Sequence, residues 1–301
     1  MKSDQAARTP LVPAHHEVLD VPRTYGSLLL LLAGVLLLNS ILGPLVLGVV
    51  SYPISETVEN QLVGLELITA LLVAPWAAMA GVAALRGRPA APIFGFAPSA
   101  YAAYMFVQYV LGPEYTHYSI TSLVHLGIFV LAAGLMLWSW SLSGRVTAPS
   151  LRAGQATRSG LLLFGLAAFV LLRYSGAVAG AFSGSSIEGE FAQERTFFWS
   201  IFLLDLGIVV PCTVAAGVAV MRGTGVGRRA LHAVVGWFSL VPPSVAAMAV
   251  VMWAKNDPNA SIPTVLLLSA ASVAFGAVAW RQFRPLLTGP DEAVHLERND
   301  R

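Results

Sequence analysis

Charge is what this chain has least of. Asp, Glu, Lys and Arg make up 11% of its 301 residues, less than half of the roughly 25% expected of a soluble globular domain. Lysine is almost missing, occurring only at Lys2 and Lys255. Cysteine is limited to Cys212, which excludes an intramolecular disulfide and a cysteine-based metal cluster. Nothing resembles the basic, aromatic-interleaved surface of a nucleic-acid binder, so no nucleic-acid partner is expected. No polar stretch between apolar runs is long enough to hold a soluble nucleotide-driven domain.

Apolar residues take the place of charge, at 56% of the chain with a mean hydropathy of +0.70. The apolar runs approach the ~20 residues needed to cross ~30 Å of hydrocarbon. The fold expected is all-α: a polytopic membrane bundle of eight transmembrane helices. The spans fall at about 25–50, 61–85, 93–112, 118–142, 159–182, 196–221, 231–254 and 262–283. Residues 1–24 are expected to be a flexible tail, 25–284 the membrane domain, and 285–301 a second tail. The first run is too long for a signal-peptide core and lacks a small-residue cleavage site, so a retained span is expected.

Basic residues set the expected orientation. The tails and the loops after the second, fourth and sixth spans hold Arg86, Arg88, Arg145, Arg152, Arg158, Arg222, Arg228 and Arg229, whereas the opposite loops hold only Arg195 and Lys255. Both termini are therefore expected on the cytoplasmic side of a plasma (inner) membrane.

The two halves of the chain look alike. Val73–Gly87 and Val209–Gly223 align without gaps at an offset of 136, matching Pro75 to Pro211, Gly81 to Gly217 and Arg86-Gly87 to Arg222-Gly223. Tyr25-Gly-Ser-Leu-Leu and Ser159-Gly-Leu-Leu-Leu begin the halves similarly, a register that sets Asn39 opposite Arg173. With an even number of spans in each half (25–142 and 159–284), the expected relation is a 4+4 parallel repeat.

Ionisable and amide groups inside spans are costly and by default face the bundle interior or water. At about 1.5 Å per residue, Glu66, His125, Asp205 and Arg173 fall roughly 8 to 13 Å from one membrane face, with Gln108 shallower. Arg173 is expected to pair with Asp205, leaving Glu66 to His125, Gln108 or a tyrosine. The alternative is that an Arg–Asp pair only fixes helix register and His125 only hydrogen-bonds in the core. Tyr101, Tyr104 and Gln108 share one helix face. Glu114-x-x-His117 is one copy of a motif that di-metal bundles use twice, so no metal and no cofactor is expected. His15-His16 in the tail lack further ligands. Gly223-Thr-Gly225-Val-Gly227 follows a membrane helix rather than a strand and reads as a flexible turn, not a dinucleotide fingerprint. Pro75, Pro211 and Pro242-Pro243 should kink their helices.

At Gly64-Leu-Glu66 with Pro75, Tyr101-x-x-Tyr104 with Tyr109 and Gly112, and Asp205-Leu-Gly207 with Pro211, the chain resembles a family of uncharacterised bacterial multi-pass membrane proteins. Leu65 stands where that family has glutamine, Glu66 where it has aspartate, and the glycine-rich turn replaces a Pro-Trp-Gly segment. The resemblance implies the same topology and draws attention to Glu66, Tyr104 and Asp205, with no activity to carry over.

The leading expectation for function is a membrane protein that binds or carries a small solute or lipid headgroup. Its polar pocket would lie between the halves in the outer half of the bundle, lined by Glu66, Tyr104, Gln108, His125, Arg173 and Asp205. The alternatives are an integral membrane enzyme acting on a lipid or quinone, with His125 as base, and a structural or assembly subunit. Expected partners are membrane lipid, a small-molecule ligand, and a second copy of the chain or a membrane partner subunit.

Overall fold

The structure, a computed structural model, describes residues 21–146, 150–187 and 189–287. Most of both expected tails, His15 and His16 included, lies outside the described residues. The described chain is helical throughout, with no strand among the described residues. Helix α1 is Arg23–Leu42, α2 Glu56–Leu85, α3 Ala91–Leu111, α4 Ile120–Ser143 and α5 Ala153–Arg173. A short α6, Ser175–Ser183, is followed by α7, Arg195–Met221, α8, Gly225–Ala254, and α9, Ile262–Leu287.

Among the described residues seven helices are long and apolar enough to cross a membrane, with α5 and α6 counted as one. The molecule is a multi-pass membrane protein. Helix α3 falls outside that set although it is 21 residues long. Fifteen of those residues are buried, so its tyrosines, Ser99 and Gln108 meet protein rather than lipid. Helix α9 is the opposite case: only Ala279 and Phe283 are buried. A helix enclosed by its neighbours needs no apolar surface, whereas one facing lipid needs it all round.

Two expected boundaries move for readable reasons. Helix α1 stops at Leu42 instead of running to about residue 50, because Pro44 has no amide for the Ser40 carbonyl. The chain folds back there, with Leu47 N–H donating to Ile41 C=O and Val50 N–H to Leu42 C=O. Helix α8 starts within the glycine-rich turn, since Thr224 Oγ accepts the Gly227 amide at 3.0 Å. That segment is a capped helix start, not the flexible turn the sequence suggested.

Helices α2 and α7 each contain a π-helical turn, Thr69–Val73 and Asp205–Val209. Ala74 N–H donates to Thr69 C=O, and Val210 N–H to Asp205 C=O. The next residue in each case is proline, Pro75 or Pro211, which lacks an amide to continue the ladder. The two turns lie 136 residues apart, the offset of the sequence match.

Packing follows the same order in both halves. Helix α1 packs on α2, α2 on α3 and α3 on α4; α5 packs on α7, α7 on α8 and α8 on α9. A Cβ on Gly26 would lie 2.9 Å from Gly81 O, and one on Gly160 would lie 3.2 Å from Gly217 O. Small residues at both crossings let the backbones approach, which is how helices gain dispersion energy in a solvent as apolar as they are. The halves meet through α2 on α8, α3 on α7, and α3 on α8 at the centre. Gly64 makes the first of these possible, because a Cβ there would sit 2.5 Å from Met248 N.

Candidate functional site

The expected single pocket resolves into separate places. Asp205, at the start of the α7 π-turn, is buried and bound at both oxygens. Tyr104 O–H donates to Oδ1 at 2.7 Å and Tyr174 O–H to Oδ2 at 2.7 Å. Tyr104 comes from α3 in the other half, with its ring edge-on to Trp237 of α8 at 5.3 Å. Tyr174 reaches the carboxylate because the chain leaves helical geometry there, at φ −95° and ψ 6°, between α5 and α6.

Arg173 does not form the expected ion pair. It is exposed, and its guanidinium carbon lies 5.6 Å from the Tyr174 ring centroid, a cation–π arrangement. A charge at the helix edge can reach polar surroundings by extending its stem, whereas turning inward would bury it. Tyrosine hydroxyls satisfy Asp205 instead. Tyr174 was not among the expected site residues, although its place beside Arg173 was a usable signal.

Glu66 sits three residues before the other π-turn, only 1% exposed. Its Oε1 accepts a long hydrogen bond from Tyr109 O–H at 3.3 Å. Its Oε2 has no hydrogen-bond partner among the described residues. The Leu45 amide approaches the carboxylate without meeting hydrogen-bond geometry. The carboxylate lies over Gly43, where a Cβ would be 2.5 Å from Oε2 and 2.6 Å from Oε1.

His125, also 1% exposed, completes this centre. Its Nε2–H donates to Asn39 Oδ1 at 3.0 Å, and Nδ1 has no partner among the described residues. Tyr52, from the α1–α2 loop, stacks on the imidazole at 5.8 Å and contacts Tyr109 at 5.6 Å. Burial first, and then the Glu66 charge and Tyr115, push the Tyr52 hydroxyl above its ordinary range. It is therefore a neutral phenol lid over the centre. Nothing in the sequence marked Tyr52, since loop tyrosines near a membrane face are ordinarily anchors.

Beside Glu66 lies a cavity of about 10 Å³ lined by Asn39, Ser40, Glu66, Thr69, Tyr101 and Tyr109, together with apolar side chains. A second cavity of about 30 Å³ lies where the halves meet, among Gln61, Leu65, Gln108, Phe197, Ile201 and Met248. Met105 and Tyr109 wall both cavities. Gln108 thus borders the space between the halves, while Glu66 and His125 sit behind Tyr109, and Tyr104 and Asp205 form the other centre.

No family model, no curated protein and no solved structure matches the chain. The family resemblance drawn from Glu66, Tyr104 and Asp205 with their flanking residues therefore rests on those motifs alone.

Polar links also join the halves at the end where α2 and α7 begin. The Ser55 amide donates to Glu194. Asp257 accepts from Asn60 Nδ2 at 3.0 Å, from Thr57 Oγ1 at 3.3 Å and from the Asn259 amide at 2.9 Å. At Asp257 burial is the largest single influence and raises the carboxyl pKa, but the hydrogen bonds together outweigh it and hold it below the ordinary range.

Proposed function

We propose that this protein binds or carries a small solute or lipid headgroup across a plasma membrane, with both termini cytoplasmic and two related four-helix halves that move against each other. The observation that carries this reading is the pair of π-turns. Each interrupts an α-helical ladder beside a proline, each sits at or near a buried carboxylate, and each is on a helix that packs across the boundary between the halves. Carriers built from repeats place their sites at such interrupted helices, where freed backbone groups and side chains face a ligand.

Cavities of about 10 and 30 Å³ are far below the ~300 Å³ at which small-molecule pockets begin. Loading therefore requires the halves to part, and the direct Tyr104–Asp205 link is the contact that must open. The enzyme alternative is weaker, because His125 is enclosed and its Nε2 is engaged by Asn39. The assembly-subunit alternative draws on α9, whose surface is almost entirely uncovered within one chain; a stoichiometric co-purifying partner supports it.

The deciding experiment is native mass spectrometry of the detergent-purified protein, paired with uptake by proteoliposomes. A retained small molecule or lipid that disappears in Asp205→Asn, with correct folding preserved, supports the reading. Folded Asp205→Asn and Glu66→Gln variants that alter neither retention nor uptake sink it.

A further inference from the structure

We propose that the cavity beside Glu66 is a binding site for one small monovalent cation, with sodium as the ion. Its walls supply hard oxygen donors with capacity to spare. Glu66 Oε2 and Ser40 Oγ are both buried and lack a hydrogen-bond partner among the described residues, and both residues line the same space. Thr69 Oγ1 gives its proton to Leu65 C=O at 2.9 Å and lies beside the Tyr101 hydroxyl on the same cavity wall. Asn39 Oδ1 receives His125 Nε2–H at 3.0 Å and keeps a second acceptor site. Tyr101 O–H, shared with Ser244 at 2.6 Å, forms another part of the wall.

The electrostatics call for a cation. No Lys or Arg is buried among the described residues, so Glu66 has no positive side chain to pair with. It lies over Gly43, at the C-terminal end of α1, where the helix dipole presents partial negative charge. Pro44 also leaves the Ser40 carbonyl without its helical donor. Helix C-terminal ends and unwound carbonyls are the groups that hold sodium in membrane carriers. A single carboxylate is too little charge for calcium, which takes about 6–8 oxygens. About 10 Å³ suits one water-sized guest.

The site stands whether or not the protein carries a solute, because a bound ion registers in stability without transport. The test is thermal unfolding of the full chain in detergent, with choline chloride exchanged for sodium chloride at constant ionic strength. The expected result is a saturable rise of roughly 5 °C when sodium is about a hundredfold above its dissociation constant, with potassium clearly weaker. Ser40→Ala should raise the half-saturating sodium concentration by about tenfold, and Glu66→Gln should abolish the response. Should Glu66→Gln not fold, the Ser40→Ala shift decides alone. A transition insensitive to sodium, an equal response to sodium, potassium and choline, or an unchanged sodium response in Ser40→Ala overturns the site.

Discussion

Glu66 and Asp205 are both buried carboxylates on helices interrupted by a π-turn, yet their surroundings differ. Asp205 receives two 2.7 Å hydrogen bonds, from Tyr104 on α3 and from Tyr174 at the break between α5 and α6. Glu66 receives one at 3.3 Å and keeps an oxygen without a partner beside a small polar cavity. A fully satisfied network rigidifies, and an unsatisfied buried oxygen calls for a ligand, a proton or a water. The repeated geometry thus serves two ends: Asp205 locks one half to the other through Tyr104, while Glu66 remains available.

The largest expected break in this comparison is Asp205→Ala. Two buried hydroxyls would lose their acceptor at ~1–3 kcal/mol each, so about 4 kcal/mol of destabilisation is expected in denaturation of the detergent-solubilised protein. A loss below about 1 kcal/mol means that the tyrosines find other partners and that Asp205 is no lock.

Gly43→Ala comes next. The added methyl would collide with both Glu66 oxygens, costing about 2 kcal/mol by overpacking. In a double-mutant cycle with Glu66→Ala most of that cost should vanish, since the colliding group is gone. Simple additivity would show that the carboxylate does not rest on Gly43.

Two tyrosines sharpen the contrast directly. Tyr104→Phe should cost about 1.5–2 kcal/mol, the range for a hydrogen bond to a charged group. Tyr109→Phe should cost less than about 1 kcal/mol because its bond to Glu66 is long. Equal costs in unfolding measurements would erase the distinction between the centres.

The smallest effect concerns Asp257, a satisfied carboxylate outside the spans. Its folded pKa is depressed, so its stabilising contribution is complete above the unfolded value of about 4 and is lost as pH falls through the folded value. Asp257→Asn should flatten the acid limb of the stability profile by a small amount. Unfolding curves taken across mildly to strongly acidic pH check this, and an unchanged limb removes Asp257 as a staple between the halves.

Much of the frame was legible in the chain. The matched prolines and the Gly81/Gly217 pair reappear as matched π-turns and matched close crossings, because missing amides and missing side chains act locally. Gly43-Pro44 was an equally readable stop for α1 that the long apolar run obscured. The partners of the carboxylates were not legible. Charge alone pointed Arg173 at Asp205, but tyrosine hydroxyls can be delivered from any helix, and only the packing of α3 and the break at Tyr174 deliver them here.

The sequence by itself determined that this is a helical multi-pass membrane protein and that the helices carrying Pro75 and Pro211 are interrupted at matched places, since hydropathy and proline work over a few residues. Tertiary structure alone decided that Glu66 and Asp205 occupy separate centres, that Arg173 stays outside, and that one carboxylate is locked while the other faces a cavity. Hydrogen-bond satisfaction in a bundle depends on which helices become neighbours, and no spacing along the chain encodes that directly.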